Sequence, residues 1–291
     1  MSSTGFPSLV NGRLHPPGAG TISVDDPGFL LGLSVFETLL YEHGCVHFLE
    51  RHLARLDQGL RALSIELPPE RDPTRDLDAY RPALDARLAE LGETRAAVRL
   101  TISRGVPDAD GHARPTVVLG ARQVAPPPKD GVVVTWEPRA KHSGDALEEL
   151  KTTNRARNVL ARERALERGA WDALLGNEME HVCEATIANV WAVIEDVVVT
   201  PGLESGCLGG VTRELLLTEV EQAGYELRVG PLPVADLPRA SEIFLSNSTG
   251  RTIPVNAVLG VVDGLQGPEG PVSSTLRAAL ARCEAAYREA R

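Results

Sequence analysis

Lys151 is the first candidate for a reactive side chain, because lysine is scarce in this chain. Only three lysines occur among 291 residues, and Lys151 stands at the head of a helix-like pattern. Further on, Glu184 lies among small and apolar residues. A deprotonated lysine amine adds to a carbonyl to form a Schiff base, and a carboxylate stabilises a protonated nitrogen beside it. The pair therefore indicates covalent amine chemistry, although each residue alone also fits an ordinary surface position.

Two loops of small residues follow, and both suit phosphate binding. Residues 209–213 read G-G-V-T-R ahead of an amphipathic helix, and residues 246–250 read S-N-S-T-G. Backbone N–H groups at a helix N-terminus bind phosphate, and glycine lets the chain approach closely. The first loop is also typical of a plain helix N-cap. A guanidinium suits a phosphate dianion too, and Arg55 within H-L-A-R-L is the candidate, with a solvated helix arginine as the alternative.

These motifs, taken in order, resemble those of a known enzyme family. The matching stretches are H-L-A-R-L at 52–56, K-T-T-N at 151–154, C-E-A-T-I-A-N at 183–189 and G-V-T-R at 210–213. They resemble the class IV aminotransferases, also called fold-type IV pyridoxal-phosphate enzymes, over residues 8–262. That family includes branched-chain and D-amino-acid aminotransferases and 4-amino-4-deoxychorismate lyase.

The resemblance implies pyridoxal 5′-phosphate as cofactor and assigns roles to named residues. Lys151 is then the catalytic residue that carries the cofactor as a Schiff base, and Glu184 keeps the ring nitrogen protonated. The remaining residues expected at the cofactor, mainly at its phosphate, are Arg55, Arg155, Val211, Thr212, Ser248 and Thr249. The residues expected at the substrate are Phe36, Thr38, Arg99 and Arg104. Candidates for holding the substrate carboxylate, left unranked, are Arg99, Arg104, Arg114, Arg155 and Arg251.

The implied reaction is transamination between a D- or L-amino acid and a 2-oxo acid. The alternative is 4-amino-4-deoxychorismate lyase, which releases pyruvate and 4-aminobenzoate. Arg155 favours the lyase, because many aminotransferases of the family carry a tyrosine there. Two departures affect the substrate side: Pro27 replaces a usual arginine, and the usual G-D-G step reads G-L-S at 32–34. Neither an R-x-H motif nor a G-T-A loop is recognisable. A non-catalytic protein of the same fold is disfavoured, because Lys151 and Glu184 are both retained.

Composition narrows the possible partners to small molecules. The net charge of −10 disfavours binding to nucleic acid through phosphate contacts. No apolar run is long enough to span a bilayer, and no signal peptide is recognisable, so we expect a cytoplasmic protein. The four scattered cysteines have neither CxxC nor zinc-ligand spacing, which indicates reduced thiols and no metal site. The resemblance, rather than the composition, implies a homodimer.

The pattern of elements predicts an α+β fold with two domains. A smaller N-terminal α/β domain (1–124) and a linker (125–131) precede a C-terminal cofactor-binding domain (132–291). The resemblance implies a barrel-like sheet with helices in the second domain. Apolar spacing predicts an amphipathic helix from about residue 48 to 63. Further helices are expected at 74–91, after Lys151 to about 169, at 212–223 and at 275–289, and strands at 97–103, 115–120, 132–136, 173–175, 190–194, 197–200, 241–245 and 257–262.

Overall fold

The chain divides into two compact units in the computed structural model, which describes residues 5–68, 71–125 and 128–291. The first unit consists of Met1–Ala125 and Leu150–Asn154, and the second of Pro126–Glu149 and Arg155–Arg291. The chain therefore returns briefly to the first unit at Lys151. Residues 126 and 127 of the predicted linker, like 1–4 and 69–70, lie outside the described residues. The predicted α+β class is confirmed, and no described helix has the length and apolarity to cross a membrane.

The first unit contains one antiparallel sheet of six strands, in the order β2-β1-β6-β5-β3-β4. Its strands are β1 (Ser8–Val10), β2 (Arg13–His15), β3 (Ser34–Glu42), β4 (Cys45–Val46), β5 (Arg95–Pro107) and β6 (Ala113–Gln123). The helices of this unit are α1 (Pro27–Leu31), α2 (Leu49–Ala62) and α3 (Pro73–Leu91).

Helices α2 and α3 cover the sheet in the way their sequences predict. Leu56 and Leu60 of α2 are buried, and they belong to one core with Leu39 and Leu100 of the sheet. Helix α3 begins where the Asp72 carboxylate accepts a hydrogen bond from the backbone of the first turn and ends at a left-handed glycine. The two helix predictions are confirmed within one or two residues.

The hairpin of β5 and β6 is longer than predicted, because its polar residues continue the pairing beyond the apolar core. The strands predicted at 97–103 and 115–120 extend to Pro107 and from Ala113, so only a short turn separates them. Gly105 interrupts the register with φ of +69°, and a Cβ there would lie 1.7 Å from the Arg114 carbonyl oxygen. In the turn, Asp108 accepts hydrogen bonds from the backbone of Asp110 and His112.

A mixed sheet of eight strands organises the second unit, in the order β12-β11-β10-β13-β14-β7-β8-β9. Its strands are β7 (Val132–Glu137), β8 (Asp172–Gly176), β9 (Val182–Ala185), β10 (Asn189–Ile194), β11 (Val197–Thr200), β12 (Glu226–Val229), β13 (Ala240–Asn247) and β14 (Arg251–Leu259). The edge strand β9 also contacts β10, and Ala185 N–H donates to Ala188 O at 2.7 Å. The sheet therefore curls back on itself, as the predicted barrel-like arrangement requires.

Three helices cover this curled sheet. They are α4 (Ala156–Glu167), α5 (Val211–Gln222) and α6 (Pro271–Glu289). Helix α4 lies close to the sheet through small residues, since Ala161 and Ala165 pack with Ala173 and Leu175. Helices α5 and α6 pack over Trp191 and Phe244, whose rings stack 5.8 Å apart. The three predicted helices of this region are confirmed, with α6 starting four residues earlier than expected because Pro271 occupies its first position.

Candidate functional site

Lys151 is held in place by backbone pairing with the start of β3. Phe36 N–H donates to the Lys151 carbonyl at 2.9 Å, and Thr153 N–H donates to Ser34 O at 3.1 Å. The neighbouring Leu150 packs against the core of the first unit. The stretch that carries Lys151 thus pairs with β3 through an isolated β-bridge between Thr152 and Val35, which fixes the backbone position from which the Lys151 side chain extends.

Three of the predicted substrate residues share one face of the first unit's sheet with Lys151. Thr38 lies directly opposite Arg99 in the β3–β5 register, and Phe36 is two residues from Thr38 on the same face. The Arg99 guanidinium carbon lies 3.6 Å from the centroid of the Phe36 ring, and Lys151 Nζ lies 4.6 Å from it. The structure therefore brings Lys151, Phe36, Thr38 and Arg99 together.

The other candidate arginines have different surroundings. The Arg104 guanidinium donates to Leu63 O at 2.5 Å, at the C-terminal end of α2. Arg114 and Arg251 form ion pairs, at 3.0 Å with Asp108 and at 2.6 Å with Glu284. Arg155 occupies the N-cap position of α4, where its carbonyl accepts from Val159 N–H at 2.9 Å. Arg99, in contrast, shares the Phe36 ring with Lys151.

Arg55 forms a buried ion pair that the sequence analysis did not predict. Its Nε and Nη2 atoms donate to the two carboxylate oxygens of Glu37 at 2.8 and 2.6 Å. His52 Nδ1 lies 2.7 Å from the same carboxylate. Burial alone would raise the pKa of Glu37, but Arg55 and His52 outweigh burial and lower it to about 2. Burial also lowers the pKa of His52, so a neutral imidazole donates to an ionised carboxylate.

Glu184 is a buried carboxylate in the second unit, and both of its oxygens have partners. It lies on β9 and is 4% exposed. Oε2 accepts a hydrogen bond from Leu208 N–H at 2.9 Å, and Oε1 lies 2.8 Å from Lys141 Nζ. Lys141 is completely buried and also contacts Glu148 Oε2 at 2.5 Å. Lys141 and Glu148 were missed at the sequence level, where the only usable signal was the scarcity of lysine.

Two buried thiols, Cys183 and Cys207, lie near Glu184. Burial raises the pKa of Cys183 to about 12 and that of Cys207 to about 11. Cys183 Sγ donates to Ser205 O at 3.0 Å, and Cys207 Sγ donates to Gly202 O at 3.4 Å. Both thiols therefore stay protonated near neutral pH and act as packing groups around the carboxylate.

The loop at the start of α5 is shaped by Asn189. Helix α5 begins at Val211 with Gly210 as N-cap, and Thr212 is buried in the first turn. Asn189 Nδ2 donates to Leu208 O at 2.7 Å. A Cβ on Gly210 would lie 2.0 Å from Asn189 Oδ1, so only glycine fits beside this side chain. The N-terminus of α5 is thereby held at the beginning of β10, with its backbone close to Asn189.

The second small-residue loop is the turn between β13 and β14. Asn247 Oδ1 accepts from Thr249 N–H at 3.1 Å and from Gly250 N–H at 2.6 Å, which fixes the turn that contains Ser248. Asn247 Nδ2 donates to Ile187 O at 3.2 Å, just before β10. Both predicted phosphate loops are thus tied by asparagine side chains to the start of the same strand. The first turn of α5 offers backbone N–H groups to a dianion, and the turn between β13 and β14 adds the Ser248 hydroxyl.

Comparison with known proteins identifies related chains over almost the whole length. A model of the amino-transferase class IV family matches residues 34–258. The chain is 29% identical over 270 residues to the aminodeoxychorismate lyase of Bacillus subtilis (strain 168), which covers 89% of each chain. It is 26% identical over 278 residues to a D-alanine aminotransferase of Listeria innocua, covering 89% of this chain and 91% of that one.

A solved structure has the same fold. It is a hypothetical aminotransferase from Mycobacterium tuberculosis in an alpha-ketoglutarate and PMP bound form. The TM-score is 0.80 at 26% sequence identity, and the match covers 96% of this chain and 98% of that chain. The architecture described above is therefore shared over nearly the full length of both proteins.

Proposed function

We propose, from the premise that this chain belongs to the amino-transferase class IV family, that it is a pyridoxal-phosphate-dependent aminotransferase. The family model matches most of the chain, which confirms the resemblance inferred from the motifs. The proposed reaction transfers an amino group between an amino acid and a 2-oxo acid. When bound, the cofactor supplies an electron sink that stabilises negative charge at the substrate α-carbon.

The observation that carries this proposal is the buried carboxylate of Glu184, both of whose oxygens have partners. A pyridine nitrogen works as an electron sink only when it is protonated, and a carboxylate stabilises that proton. The Leu208 N–H donates to one oxygen of Glu184, and the Lys141 ammonium contacts the other. Glu184 is therefore suited to accept the hydrogen bond of a protonated ring nitrogen.

Lys151 is the residue proposed to bind the cofactor covalently through Nζ and then to move a proton. It lies next to the Phe36 ring and on the same face as Arg99. In contrast, Lys141 is enclosed by two carboxylates. Burial alone lowers the pKa of Lys141, but the two carboxylates outweigh burial and raise it above its ordinary value. Lys141 therefore remains an ammonium and is unsuited to act as the nucleophile.

The phosphate is proposed to bind at the two loops tied to β10. Val211 and Thr212 contribute the first turn of α5, and Ser248 and Thr249 contribute the turn between β13 and β14. Gly210 leaves room for close approach, since it carries no side chain beside Asn189. The donor set fits a dianion, because helix N-termini and hydroxyls both favour negative charge. The predicted phosphate contact of Arg55 stays a prediction, with Glu37 fixing the orientation of its guanidinium.

The substrate carboxylate is proposed to bind Arg99. This guanidinium lies over Phe36 on the face that carries Lys151 and Thr38, where an amino acid would present its carboxylate beside the reacting amine. Arg104 donates to Leu63 O at the end of α2, and its predicted substrate contact stays a prediction. Arg155 stays a predicted cofactor contact, and the homodimer and the cytoplasmic location stay predictions as well.

A spectral titration tests the proposed reaction. The purified protein, loaded with pyridoxal phosphate, is mixed with D-alanine or, separately, with L-leucine. An aminotransferase should convert the visible absorbance band of the bound cofactor to that of the pyridoxamine form, and the active amino acid gives the handedness. A cofactor band that neither amino acid changes, with no oxo acid released, would contradict transamination with these donors and favour the second candidate.

That second candidate is 4-amino-4-deoxychorismate lyase. Two observations favour it: the 29% identity to the Bacillus subtilis lyase and the presence of Arg155 where a tyrosine is usual in aminotransferases. The same Lys151 and Glu184 would serve this reaction. The lyase predicts release of pyruvate and 4-aminobenzoate from aminodeoxychorismate, and an assay of pyruvate with this substrate separates the two functions.

A further inference from the structure

Lys141 is the most enclosed cation in the described part of the second unit, and the proposed reaction does not use it. Its side chain is 0% exposed. Its backbone N–H donates to Gly176 O at 3.0 Å, at the end of β8, the strand that pairs with β9 beside Glu184. A Cβ on Gly206 would lie 2.7 Å from His142 O, so the 202–206 turn closes over this stretch of chain. A fully buried lysine is uncommon unless its charge is paired.

The ammonium is part of a chain of alternating charges that ends at Glu184. Arg157 Nη1 lies 2.9 Å from Glu148 Oε1 and also donates to Ala140 O at 2.8 Å. Glu148 Oε2 lies 2.5 Å from Lys141 Nζ, and Lys141 Nζ lies 2.8 Å from Glu184 Oε1. Each buried charge therefore has an opposite charge beside it, which offsets the cost of removing it from water.

The consequence concerns the Glu184 carboxylate. Burying an unpaired carboxylate costs free energy, and an opposite charge in direct contact offsets that cost. Because Lys141 holds Oε1 and Leu208 N–H holds Oε2, the carboxylate plane is also fixed by two contacts.

We propose that Lys141 is a positioning residue that orients the Glu184 carboxylate, and supplies its counter-charge, for the ring nitrogen of the cofactor. The inference rests on the proposed function, because it takes Glu184 as the partner of that nitrogen. Lys141 itself touches neither cofactor nor substrate in this account. Glu148 contacts the ammonium on its other side, and Arg157 in turn pairs with Glu148.

The test compares two ligands of the apo-protein. One is pyridoxal phosphate, and the other is 1-deazapyridoxal phosphate, in which a C–H group replaces the ring nitrogen. Affinities are measured by tryptophan fluorescence for the parent, Lys141→Met, Lys141→Arg and the exposed control Lys129→Met. Lys141→Met should weaken pyridoxal phosphate binding by about tenfold or more and leave the affinity for the deaza analogue unchanged. Lys141→Arg should restore the preference for pyridoxal phosphate, and Lys129→Met should match the parent.

The outcomes separate this inference from the proposed function. Equal losses for both ligands in Lys141→Met would show that Lys141 only maintains the fold, and unchanged affinities would show no role. Failure of the parent to prefer pyridoxal phosphate over the analogue would contradict the role of Glu184 itself. If Lys141→Met does not fold, the double variant Lys141→Met/Glu184→Gln, which removes both charges, is compared with Glu184→Gln alone. The preference for pyridoxal phosphate over the deaza analogue should then be the same in the double variant as in Glu184→Gln. A weaker preference in the double variant would contradict the inference.

Discussion

The carboxylate of Glu184 accepts a hydrogen bond from the Leu208 amide at 2.9 Å, and this contact links two proposed parts of the cofactor site. Leu208 precedes the glycines that lead into α5, and its carbonyl accepts from Asn189 at 2.7 Å. The residue proposed for the ring nitrogen and the loop proposed for the phosphate are therefore held by the same short segment. A substitution in the loop at the start of α5 should therefore also change the position of the Glu184 carboxylate.

Gly210→Ala tests the phosphate loop. The added Cβ would lie 2.0 Å from Asn189 Oδ1, and Asn189 cannot turn away without losing its bond to Leu208. We expect the affinity for pyridoxal phosphate to fall about tenfold, which corresponds to about 1.4 kcal/mol. Gly209→Ala is the matched control, because the nearest atom to its Cβ would be Leu203 Cδ2 at 3.7 Å. Equal affinities of the two variants, measured by fluorescence titration, would contradict the placement of the phosphate.

Glu184→Gln tests the carboxylate proposed for the ring nitrogen. The amide keeps an oxygen for Leu208 N–H but has no charge to stabilise a protonated nitrogen. We expect the rate of the first half-reaction to fall at least about a hundredfold, while pyridoxal phosphate still binds. Stopped-flow absorbance with the active amino acid measures this rate. Glu180→Gln, at an exposed position just before β9, is the control. If Glu184→Gln reacts at the parental rate, Glu184 does not have the proposed role at the ring nitrogen.

The buried pair of Glu37 and Arg55 predicts a pH dependence of stability. The pKa of Glu37 is lowered to about 2, so its contribution is complete above its ordinary pKa and is lost as the pH falls towards 2. The contribution is on the order of 3 kcal/mol at neutral pH. Glu37→Gln should therefore lower the free energy of unfolding at pH 6 more than at pH 3.

Urea unfolding at both pH values measures the effect, and an exposed pair gives the control. Glu90 lies 2.7 Å from Arg87 but is 65% exposed, so Glu90→Gln should change the free energy of unfolding by less than about 1 kcal/mol at either pH. A loss in Glu37→Gln that is the same at pH 6 and pH 3 would show that the carboxylate is not held ionised by Arg55.

The sequence was sufficient to name the candidate residues that stand within short motifs, and to predict a helix with regular apolar spacing. Lys151 and Glu184 each stand within a short motif, and α2 follows directly from the spacing of Leu53, Leu56 and Leu60. Phe36, Thr38 and Arg99 were also named, although their common face depends on the β3–β5 register. That register joins residues far apart in the chain, so the sequence alone did not establish their proximity.

The contacts that the sequence did not reveal all join distant, oppositely charged residues. Lys141 lies in a stretch with no regular structure, and nothing near it indicates that Glu184 lies 2.8 Å away. Arg55 was assigned to a phosphate because the motif suggests it, whereas its contact with Glu37 depends on how α2 packs on β3. Buried ion pairs of this kind are set by tertiary packing, which leaves no periodic trace in the sequence.

The most direct test of the account is to identify the lysine that binds the cofactor. The protein loaded with pyridoxal phosphate is reduced with borohydride, which fixes the cofactor permanently on the amine that holds it, and the modified peptide is identified by mass spectrometry. With only three lysines in the chain, the assignment is unambiguous. We predict modification of Lys151, and loss of this modification in Lys151→Ala with the fold retained. Modification of Lys141 or Lys129 instead, or of none of the three lysines in protein that binds the cofactor, would contradict the proposal.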